Sequence, residues 1–256
     1  PDPDAPHVVT AHVPAGPVAG AIVERTERAL WHLQAFGLRP VGQLRVREVD
    51  DAGWADAWRE HYVPQHIGRF VVLPSWRADE ALGQGELPIV LDPGMAFGTG
   101  LHPTTRGCLA MLEAVDPLPA RALDVGTGSG ILAIAALRLG ISAVHGLDTD
   151  PLAVEAARAN AERNGLAGRL TVAHGSLPPE PAERFGLVLA NLVAVVLVEL
   201  APRLSAHLAD DGILLAGGII APRAGEVVDA MRAAGLALAE RRDDGEWVSL
   251  RLGRAR

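Results

Sequence analysis

A glycine-rich turn, a carboxylate and an amide each follow a predicted strand, and their residue types suit the binding of a small charged molecule. The turn is Asp124-Val-Gly-Thr-Gly-Ser-Gly130, with glycine at Gly126, Gly128 and Gly130. Glycine tolerates positive φ and has no Cβ atom, so a ligand can lie against the main chain at the start of the next helix. The spacing G-x-G-x-G departs from the G-x-G-x-x-G of dinucleotide-binding strands. The turn therefore favours S-adenosylmethionine over NAD, and a tight turn that binds no ligand is the alternative.

The carboxylate belongs to Asp148, which ends a second predicted strand twenty-two residues after Gly126. Ligands of open α/β sheets bind across the carboxyl ends of the strands, where Asp148 can accept hydrogen bonds from both hydroxyls of a ribose. Asp148 can instead cap the helix that begins near Pro151, but Asp150 is better placed for that cap. We therefore predict that Asp148 binds the cofactor.

The amide belongs to Asn191, which follows the apolar run Leu187-Val-Leu-Ala and precedes Leu192. An amide at the end of a buried strand is costly unless its polar groups are paired. One use is to cap the helix that begins near Val193. The other is to accept the hydrogens of a substrate amine, together with the main-chain carbonyls of Asn191 or Leu192. Both uses remain open, and we predict Asn191 and Leu192 as the catalytic residues.

The elements that position these residues follow from hydrophobic periodicity. Strands are predicted near 121–125, 143–148, 169–173, 185–190, 212–217, 236–241 and 246–252. Helices are predicted near 130–139, 151–164, 193–207 and 221–234. Asp243-Asp-Gly245 predicts a hairpin between the last two strands, so the last strand is antiparallel. The predicted fold is α/β, with a seven-stranded, Rossmann-like and mostly parallel sheet.

The first part of the chain predicts a small α+β domain followed by a connecting helix. Its pattern predicts a strand at 7–13, a helix at 21–36 and a strand at 44–49. Trp54, Trp58 and Tyr62 then recur at helical spacing, which is typical of a packing stripe. We place the domain boundaries at 1–50, 51–65 and 66–256. A strand at 69–76, a loop at 77–88, a strand at 89–92 and a helix from Pro103 are predicted next.

Charge narrows the choice of partners. The chain has 23 basic residues, all of them arginine, against 31 acidic residues, and its formal net charge at pH 7 is −8. A negative field repels the phosphate backbone of nucleic acids. We therefore expect a basic protein or a cationic ligand as partner and no sequence-specific binding of nucleic acid. We also expect a monomer.

Cysteine and histidine usage bears on metals and on the cellular compartment. Cys108 is the single cysteine, so no internal disulfide can form, and the nine histidines lack the spacing of metal ligands. The amino-terminal residues do not resemble a signal peptide, and the apolar run at 192–200 is too short to span a membrane. We expect a cytoplasmic protein without a metal and without a membrane segment.

Three motifs together resemble those of class I S-adenosylmethionine-dependent methyltransferases. They are Asp124-Val-Gly-Thr-Gly-Ser-Gly130, Gly146-Leu-Asp148 and Leu189-Ala-Asn191-Leu192. The stretch Leu91-Asp-Pro-Gly-Met-Ala-Phe-Gly-Thr-Gly-Leu-His-Pro-Thr-Thr105 closely resembles the signature of the PrmA family, which methylates ribosomal protein L11 of the large subunit. The resemblance covers about residues 50 to 256.

The resemblance implies a catalytic methyltransferase domain at 66–256 and a substrate-recognition domain at 1–50. It carries the family's cofactor contacts onto Thr105, Gly126, Asp148 and Asn191, and its substrate is methylated on the N-terminal α-amine and on lysine side chains. We add Gly128, Gly130 and the loop residues Phe97, Gly98 and Thr99 to the predicted cofactor site, and S-adenosylhomocysteine is the expected product. His102 is predicted to be structural, because Pro103 fixes the entry of the helix.

Three rival functions remain. A nucleic-acid methyltransferase has the same fold, but no Asn-Pro-Pro-aromatic sequence follows the fourth strand. An NAD-dependent oxidoreductase is disfavoured by the spacing of the glycines. A non-catalytic module for ribosome assembly would keep the cofactor pocket as a binding platform only.

Overall fold

The structure is a computed structural model that describes residues 19–20, 22–24, 26–27, 30, 44–46, 63–91 and 102–255. The chain forms two compact units, Pro1–Tyr62 and Val63–Arg256. In the first unit the described residues between 19 and 30 are helical, within the predicted helix, while residues 44–46 are not in a strand as predicted. The predicted strand at 7–13 and the stripe of Trp54, Trp58 and Tyr62 lie outside the described residues.

The second unit contains two sheets. The smaller sheet has the order β1-β2-β3, with β1 antiparallel to β2 and β2 parallel to β3. Its strands are β1 (Gln65–Ile67), β2 (Phe70–Leu73) and β3 (Leu87–Val90). The strand predicted at 69–76 is shorter than expected, because Pro74 ends it and a 3-10 turn, Ser75–Arg77, follows.

The larger sheet has seven strands in the order β6-β5-β4-β7-β8-β10-β9. Its strands are β4 (Arg121–Val125), β5 (Ala143–Asp148), β6 (Leu170–His174), β7 (Phe185–Asn191), β8 (Leu208–Ile220), β9 (Leu236–Asp244) and β10 (Trp247–Arg254). The helices of this unit are α1 (Pro103–Glu113), α2 (Ile131–Leu139), α3 (Pro151–Arg163), α4 (Ala194–His207) and α5 (Ala224–Ala233). The predicted fold class is confirmed.

Helices cover both faces of the larger sheet, and alternate residues of each strand supply the two cores. In β4, Ala122 packs in the core with α1, α2 and α3, whereas Leu123 and Val125 pack in the core with α4 and α5. Asp124 therefore faces the same helices as Ala122. This alternation places a buried carboxylate directly before the glycine turn.

The last strand is antiparallel, as predicted, but it does not lie at the end of the sheet. β10 lies between β8 and β9 and is antiparallel to both. The strand β9 runs through Asp244, so the hairpin turn is Gly245-Glu246, shorter than the predicted turn. The tip of this hairpin consequently lies at the same edge of the sheet as the carboxyl ends of the parallel strands.

Buried polar contacts tie the smaller sheet to the helices of the larger one. The side chain of Asn164 accepts a hydrogen bond from Val90 N at 3.0 Å and donates one to Val90 O at 2.7 Å. Arg138 Nε donates to Pro88 O at 2.9 Å. These bonds satisfy the main chain of β3, so the segment that precedes residues 92–101 is anchored to the ends of α2 and α3.

Candidate active site

The glycine turn between β4 and α2 has the backbone that its sequence predicts. The φ angles are 71° at Gly126, 55° at Gly128 and 81° at Gly130. The turn is fixed to β5, because the N–H groups of Gly126 and Thr127 donate to the carbonyl of Leu147 at 2.8 and 3.0 Å. Two neighbouring strand ends are thereby held as one rigid wall.

Asp148, at the end of β5, is half-buried and accepts two main-chain hydrogen bonds. Gly128 N donates to its Oδ2 at 2.8 Å, and Asp150 N donates to its Oδ1 at 3.0 Å. Asp150 is the cap of α3, since its carboxylate accepts a bond from Leu152 N at 2.9 Å. A carboxylate has about four acceptor positions, so Asp148 retains capacity for two hydroxyls of a ligand.

Asn191 lies beside the first turn of α1. Its Nδ2 donates to the hydroxyl of the fully buried Thr105 at 3.4 Å, and its Oδ1 has no hydrogen-bond partner among the described residues. Helix α4 begins at Val193 without a side-chain cap, so the capping role considered for Asn191 is wrong. A 180° rotation of the amide would instead let the Thr105 hydroxyl donate to Oδ1. In both orientations one amide group lacks a protein partner.

Glycine residues of β8 make room for this amide and for the segment after it. A Cβ atom on Gly217 would lie 2.5 Å from Cys108 Sγ and 2.9 Å from Asn191 Oδ1. A Cβ atom on Gly218 would lie 2.4 Å from Leu192 O, and one on Gly126 would lie 2.3 Å from Leu192 Cδ2. Leu192 is therefore held between two glycines from different strands.

A cavity of about 460 Å³ lies where these elements meet. Its described lining includes six residues that the sequence analysis predicts, namely Thr105, Gly126, Gly128, Asp148, Asn191 and Leu192. Gly130 does not line the cavity; a Cβ atom there would lie 3.3 Å from Ala157 Cβ, so its role is the close packing of α2 on α3. Phe97, Gly98 and Thr99 lie outside the described residues.

The cavity wall also contains residues that the sequence analysis missed. Thr149 and Asp150 follow β5, and Gly175 and Ser176 follow β6. The signal that identifies them is positional: they come directly after parallel strands and thus lie at the ligand-binding edge of the sheet. None of the described lining residues is an arginine, so the wall is neutral to acidic.

His102 has the predicted structural role. It is the N-cap of α1, with Nδ1 2.9 Å from Thr104 Oγ1, and its ring meets that of Trp247 edge to face at 4.6 Å. Cys108 is buried in the same helix, and burial raises the pKa of its thiol from 9.0 to about 12. The negative charge of Asp124 raises the pKa of the thiol further. A protonated thiol is a poor nucleophile, so Cys108 is a packing residue.

We predict that replacing Gly218 destabilises the fold more than replacing another glycine of similar conformation. Gly218→Ala combines the cost of φ at 77° with a clash against the main chain of Leu192, which no side-chain rotation relieves. We expect a loss of about 3 kcal/mol in the free energy of unfolding. The control is Gly235→Ala, with φ at 83° and no atom within 4 Å of the added Cβ, for which about 1 kcal/mol is expected. Equal losses in chemical denaturation would contradict the clash at Leu192.

Asp124 predicts a specific dependence of stability on pH. Burial raises the pKa of this carboxyl from 3.8 to about 7, although the Thr127 hydroxyl, which donates to Oδ2 at 2.7 Å, lowers it. The folded protein thus retains a proton that the unfolded chain releases near pH 4. The stability contributed by Asp124 is complete below about pH 4 and is lost as the pH rises to about 7, with a slope of up to about 1.4 kcal/mol per pH unit.

The measurement is the unfolding free energy of the unmodified chain minus that of Asp124→Asn across this pH range. Subtraction removes the contributions of the other carboxylates, because both proteins share them. We expect the difference to fall from pH 4 to pH 7. A difference that stays flat or rises would show that Asp124 is ionised in the folded protein below pH 4.

The described residues contain no group of three or more His, Cys, Asp or Glu side chains that could hold a metal ion. Among the same residues, no helix is both long enough and apolar enough to cross a membrane.

Comparison with known proteins identifies a family over nearly the whole chain. The model of the family described as ribosomal protein L11 methyltransferase (PrmA) matches residues 7–255. The chain is 42% identical to the ribosomal protein L11 methyltransferase of Chloroflexus aurantiacus over 274 residues, which cover 97% of this chain and 83% of that protein. It is 46% identical to the protein of the same name from Geobacter sulfurreducens over 239 residues, covering 93% and 78% of the two chains.

A solved structure agrees with this assignment. The crystal structure of the ribosomal protein L11 methylase from Lactobacillus delbrueckii subsp. bulgaricus is 31% identical in sequence, with a TM-score of 0.71. The superposition covers 76% of this chain and 100% of that chain. The similarity therefore extends from the sequence to the arrangement of the elements around the cavity.

Proposed function

Because the chain belongs to the ribosomal protein L11 methyltransferase (PrmA) family, we propose that it transfers methyl groups from S-adenosylmethionine to the N-terminal α-amine and lysine side chains of ribosomal protein L11. The observation that carries the proposal is that Asp148, the glycine turn and Asn191 line one cavity. The relatives' name supports the substrate, and the motifs of the sequence support the donor. The choice of amines rests on the resemblance to the family.

The residues around the cavity fit S-adenosylmethionine. A volume of about 460 Å³ is within the usual range of about 300 to 1,000 Å³ for small-molecule sites. The glycines leave the main chain open to close approach, and Asp148 keeps free acceptor positions for a ribose. A wall that contains Asp148 and Asp150 and no described arginine suits a cationic ligand better than a pyrophosphate. These features favour S-adenosylmethionine over a dinucleotide.

When bound, S-adenosylmethionine supplies an electrophilic methyl group on a cationic sulfur, and the thioether that leaves is neutral. The protein therefore needs no general acid, and its main task is to align the amine with the methyl group. The unperturbed pKa of a lysine amine is about 10.4, so a proton must be lost before the nitrogen can attack. A low-dielectric site next to a positive charge favours the neutral amine.

Asn191 and Leu192 are the residues that we assign to the amine. The side-chain oxygen of Asn191 and the main-chain carbonyls of Asn191 or Leu192 accept the amine hydrogens and thereby direct the lone pair of the nitrogen. The amide group of Asn191 that lacks a protein partner supports this assignment, since a buried polar atom without a partner is costly unless a ligand completes it. The hydroxyl of Thr105 orients the amide.

We propose further that the protein acts in the cytoplasm as a monomer, without a metal and without sequence-specific contacts to nucleic acid. The net charge of −8 supports a basic protein partner, either free or on the large ribosomal subunit. Residues 1–50 are proposed to bind the substrate protein, residues 51–65 to connect the domains, and residues 66–256 to catalyse the transfer.

The proposal is tested by incubating the full chain with purified ribosomal proteins and methyl-labelled S-adenosylmethionine, followed by mass spectrometry of each protein. We expect label on L11 and on no other ribosomal protein. Label on another protein, or on ribosomal RNA when RNA is included, would contradict the proposed substrate. Binding of the cofactor without any transfer would indicate a non-catalytic module.

A further inference from the structure

The entrance to the cavity is bordered by three exposed apolar side chains. Val193 is 62% exposed, Val195 is 54% exposed and Ile220 is 37% exposed, and we call these three residues the apolar rim. Val193 directly follows Leu192, whose main chain contacts Gly218, two residues before Ile220. The rim is therefore continuous with the segment that we assign to the acceptor amine. Neighbouring residues of β8 and α4 are buried, so exposure of apolar surface is confined to this edge.

The hairpin between β9 and β10 adds negative charge beside the rim. Ile220 pairs with Trp247, which in turn pairs with Asp244. Asp244 and Glu246 are exposed, and neither has an ion-pair partner among the described residues; we call them the acidic tip. The nearby arginines are already paired, Arg241 with Asp243 at 2.6 Å and Arg223 with Glu226 at 2.7 Å. The tip thus keeps two uncompensated negative charges.

The register of the sheet gives the distance between the tip and the acceptor site. Asn191 pairs with Gly217, and Ile220 lies three residues further along β8. With about 3.3 Å per residue and about 4.8 Å between strands, Trp247 lies roughly 15 Å from Asn191. An extended peptide of about five residues spans this distance.

We propose that the apolar rim and the acidic tip dock the segment of a basic protein substrate that carries the amine to be methylated. This inference rests on the proposed function and adds a second contact surface, separate from the cavity itself. The rim packs on the aliphatic stems of basic side chains, and the tip attracts their charged ends. The site is thereby selective for a methylated residue with basic neighbours along the chain.

Charge complementarity selects this occupant over others. A second copy of the chain also has a net charge of −8 and would be repelled at the acidic tip. The phosphates of an RNA would be repelled in the same way. A lysine-bearing segment of a ribosomal protein has the opposite charge and long aliphatic stems, so it matches both parts of the surface.

The test compares two charge reversals of the full chain by steady-state methylation of purified L11. Asp244→Arg with Glu246→Arg changes the tip, and Asp211→Arg changes an exposed carboxylate without an ion pair among the described residues, near the opposite end of β8. For the tip variant we expect KM for L11 to rise about tenfold, with kcat and the Kd for S-adenosylmethionine unchanged. For Asp211→Arg we expect a change of less than about twofold.

Higher ionic strength should reduce the difference between the tip variant and the unmodified chain, because salt screens exposed charges. Val195→Ser is expected to raise KM about threefold, and Leu238→Ser, which changes another exposed apolar residue, serves as its control. If the double reversal lowers the melting temperature, Asp244→Asn with Glu246→Gln replaces it, with a rise of about threefold expected.

An unchanged KM for the tip variants, or an equal rise for Asp211→Arg, would overturn the docking surface. A fall in kcat at unchanged KM would overturn it as well. If the unmodified chain does not methylate L11 at all, the proposed function itself fails. The two failures are therefore distinguishable in the same assay.

Discussion

Asn191→Ala is expected to lower kcat for methylation of L11 about 1,000-fold at saturating S-adenosylmethionine. The effect of removing one preorganised polar group at a reacting centre is typically about 100- to 1,000-fold. Asn191 lies at the end of β7 and at the cavity wall, and one of its amide groups has no hydrogen-bond partner among the described residues. Alanine removes both the contact to the substrate amine and the contact to Thr105 Oγ1, which is 3.4 Å away.

The measurement is single-turnover methyl transfer with the cofactor bound, so that weaker binding does not enter the rate. Asn191→Asp keeps an acceptor oxygen and is expected to retain more activity than Asn191→Ala. Thr105→Val removes the hydroxyl that orients the amide and is expected to cost about tenfold. Near-normal turnover of Asn191→Ala would show that another group aligns the amine.

Asp148→Ala is expected to raise the Kd for S-adenosylmethionine about 100-fold, which corresponds to about 2.7 kcal/mol. The carboxylate is assigned to the ribose hydroxyls, and it also holds the turn through Gly128 N at 2.8 Å. Loss of both contacts weakens binding of the cofactor. The rate of transfer from the bound cofactor should change much less, because Asp148 is not assigned to the amine.

Isothermal titration calorimetry measures this affinity directly, and Asp150→Ala is the neighbouring control. Asp150 caps α3 through Leu152 N, so its removal should cost about 1 kcal/mol of stability. We expect its effect on cofactor affinity to be less than about tenfold. An unchanged Kd for Asp148→Ala would remove Asp148 from the cofactor site.

Most of the large sheet could be predicted from the sequence because its strands are buried on both faces and are separated by well-marked helices. Strands β4 and β5 have the predicted bounds. Strand β8 is longer than predicted, since Asp210-Asp-Gly212 has the composition of a turn yet lies within the strand. The register between β7 and β8 shifts between Phe185 and Leu187, which accommodates these residues.

Two features of the fold depended on distant contacts and could not be predicted. Strand β1 has three residues, too few for a periodic pattern. The insertion of β10 between β8 and β9 depends on strand pairing, whereas the local sequence predicts only the hairpin. The acidic tip comes to the ligand-binding edge as a result of that insertion.

The same distinction holds for the candidate site. Residues directly after strands, such as Asp148 and Asn191, are predictable because the carboxyl ends of parallel strands meet at one edge. Gly217 and Gly218 were missed, because their need for a missing Cβ atom arises from contacts with Asn191 and Leu192 on another strand. Such a contact leaves no periodic or local signal in the sequence.

Peptide-resolved mass spectrometry of purified L11, after incubation with the full chain and S-adenosylmethionine labelled in its methyl group, tests the proposed function most directly. We predict labelled methyl groups on the N-terminal α-amine and on lysine side chains, and their loss with Asn191→Ala. L11 that stays unlabelled while calorimetry shows bound cofactor, or label confined to other residue types, would contradict the assignment of this cavity to amine methylation.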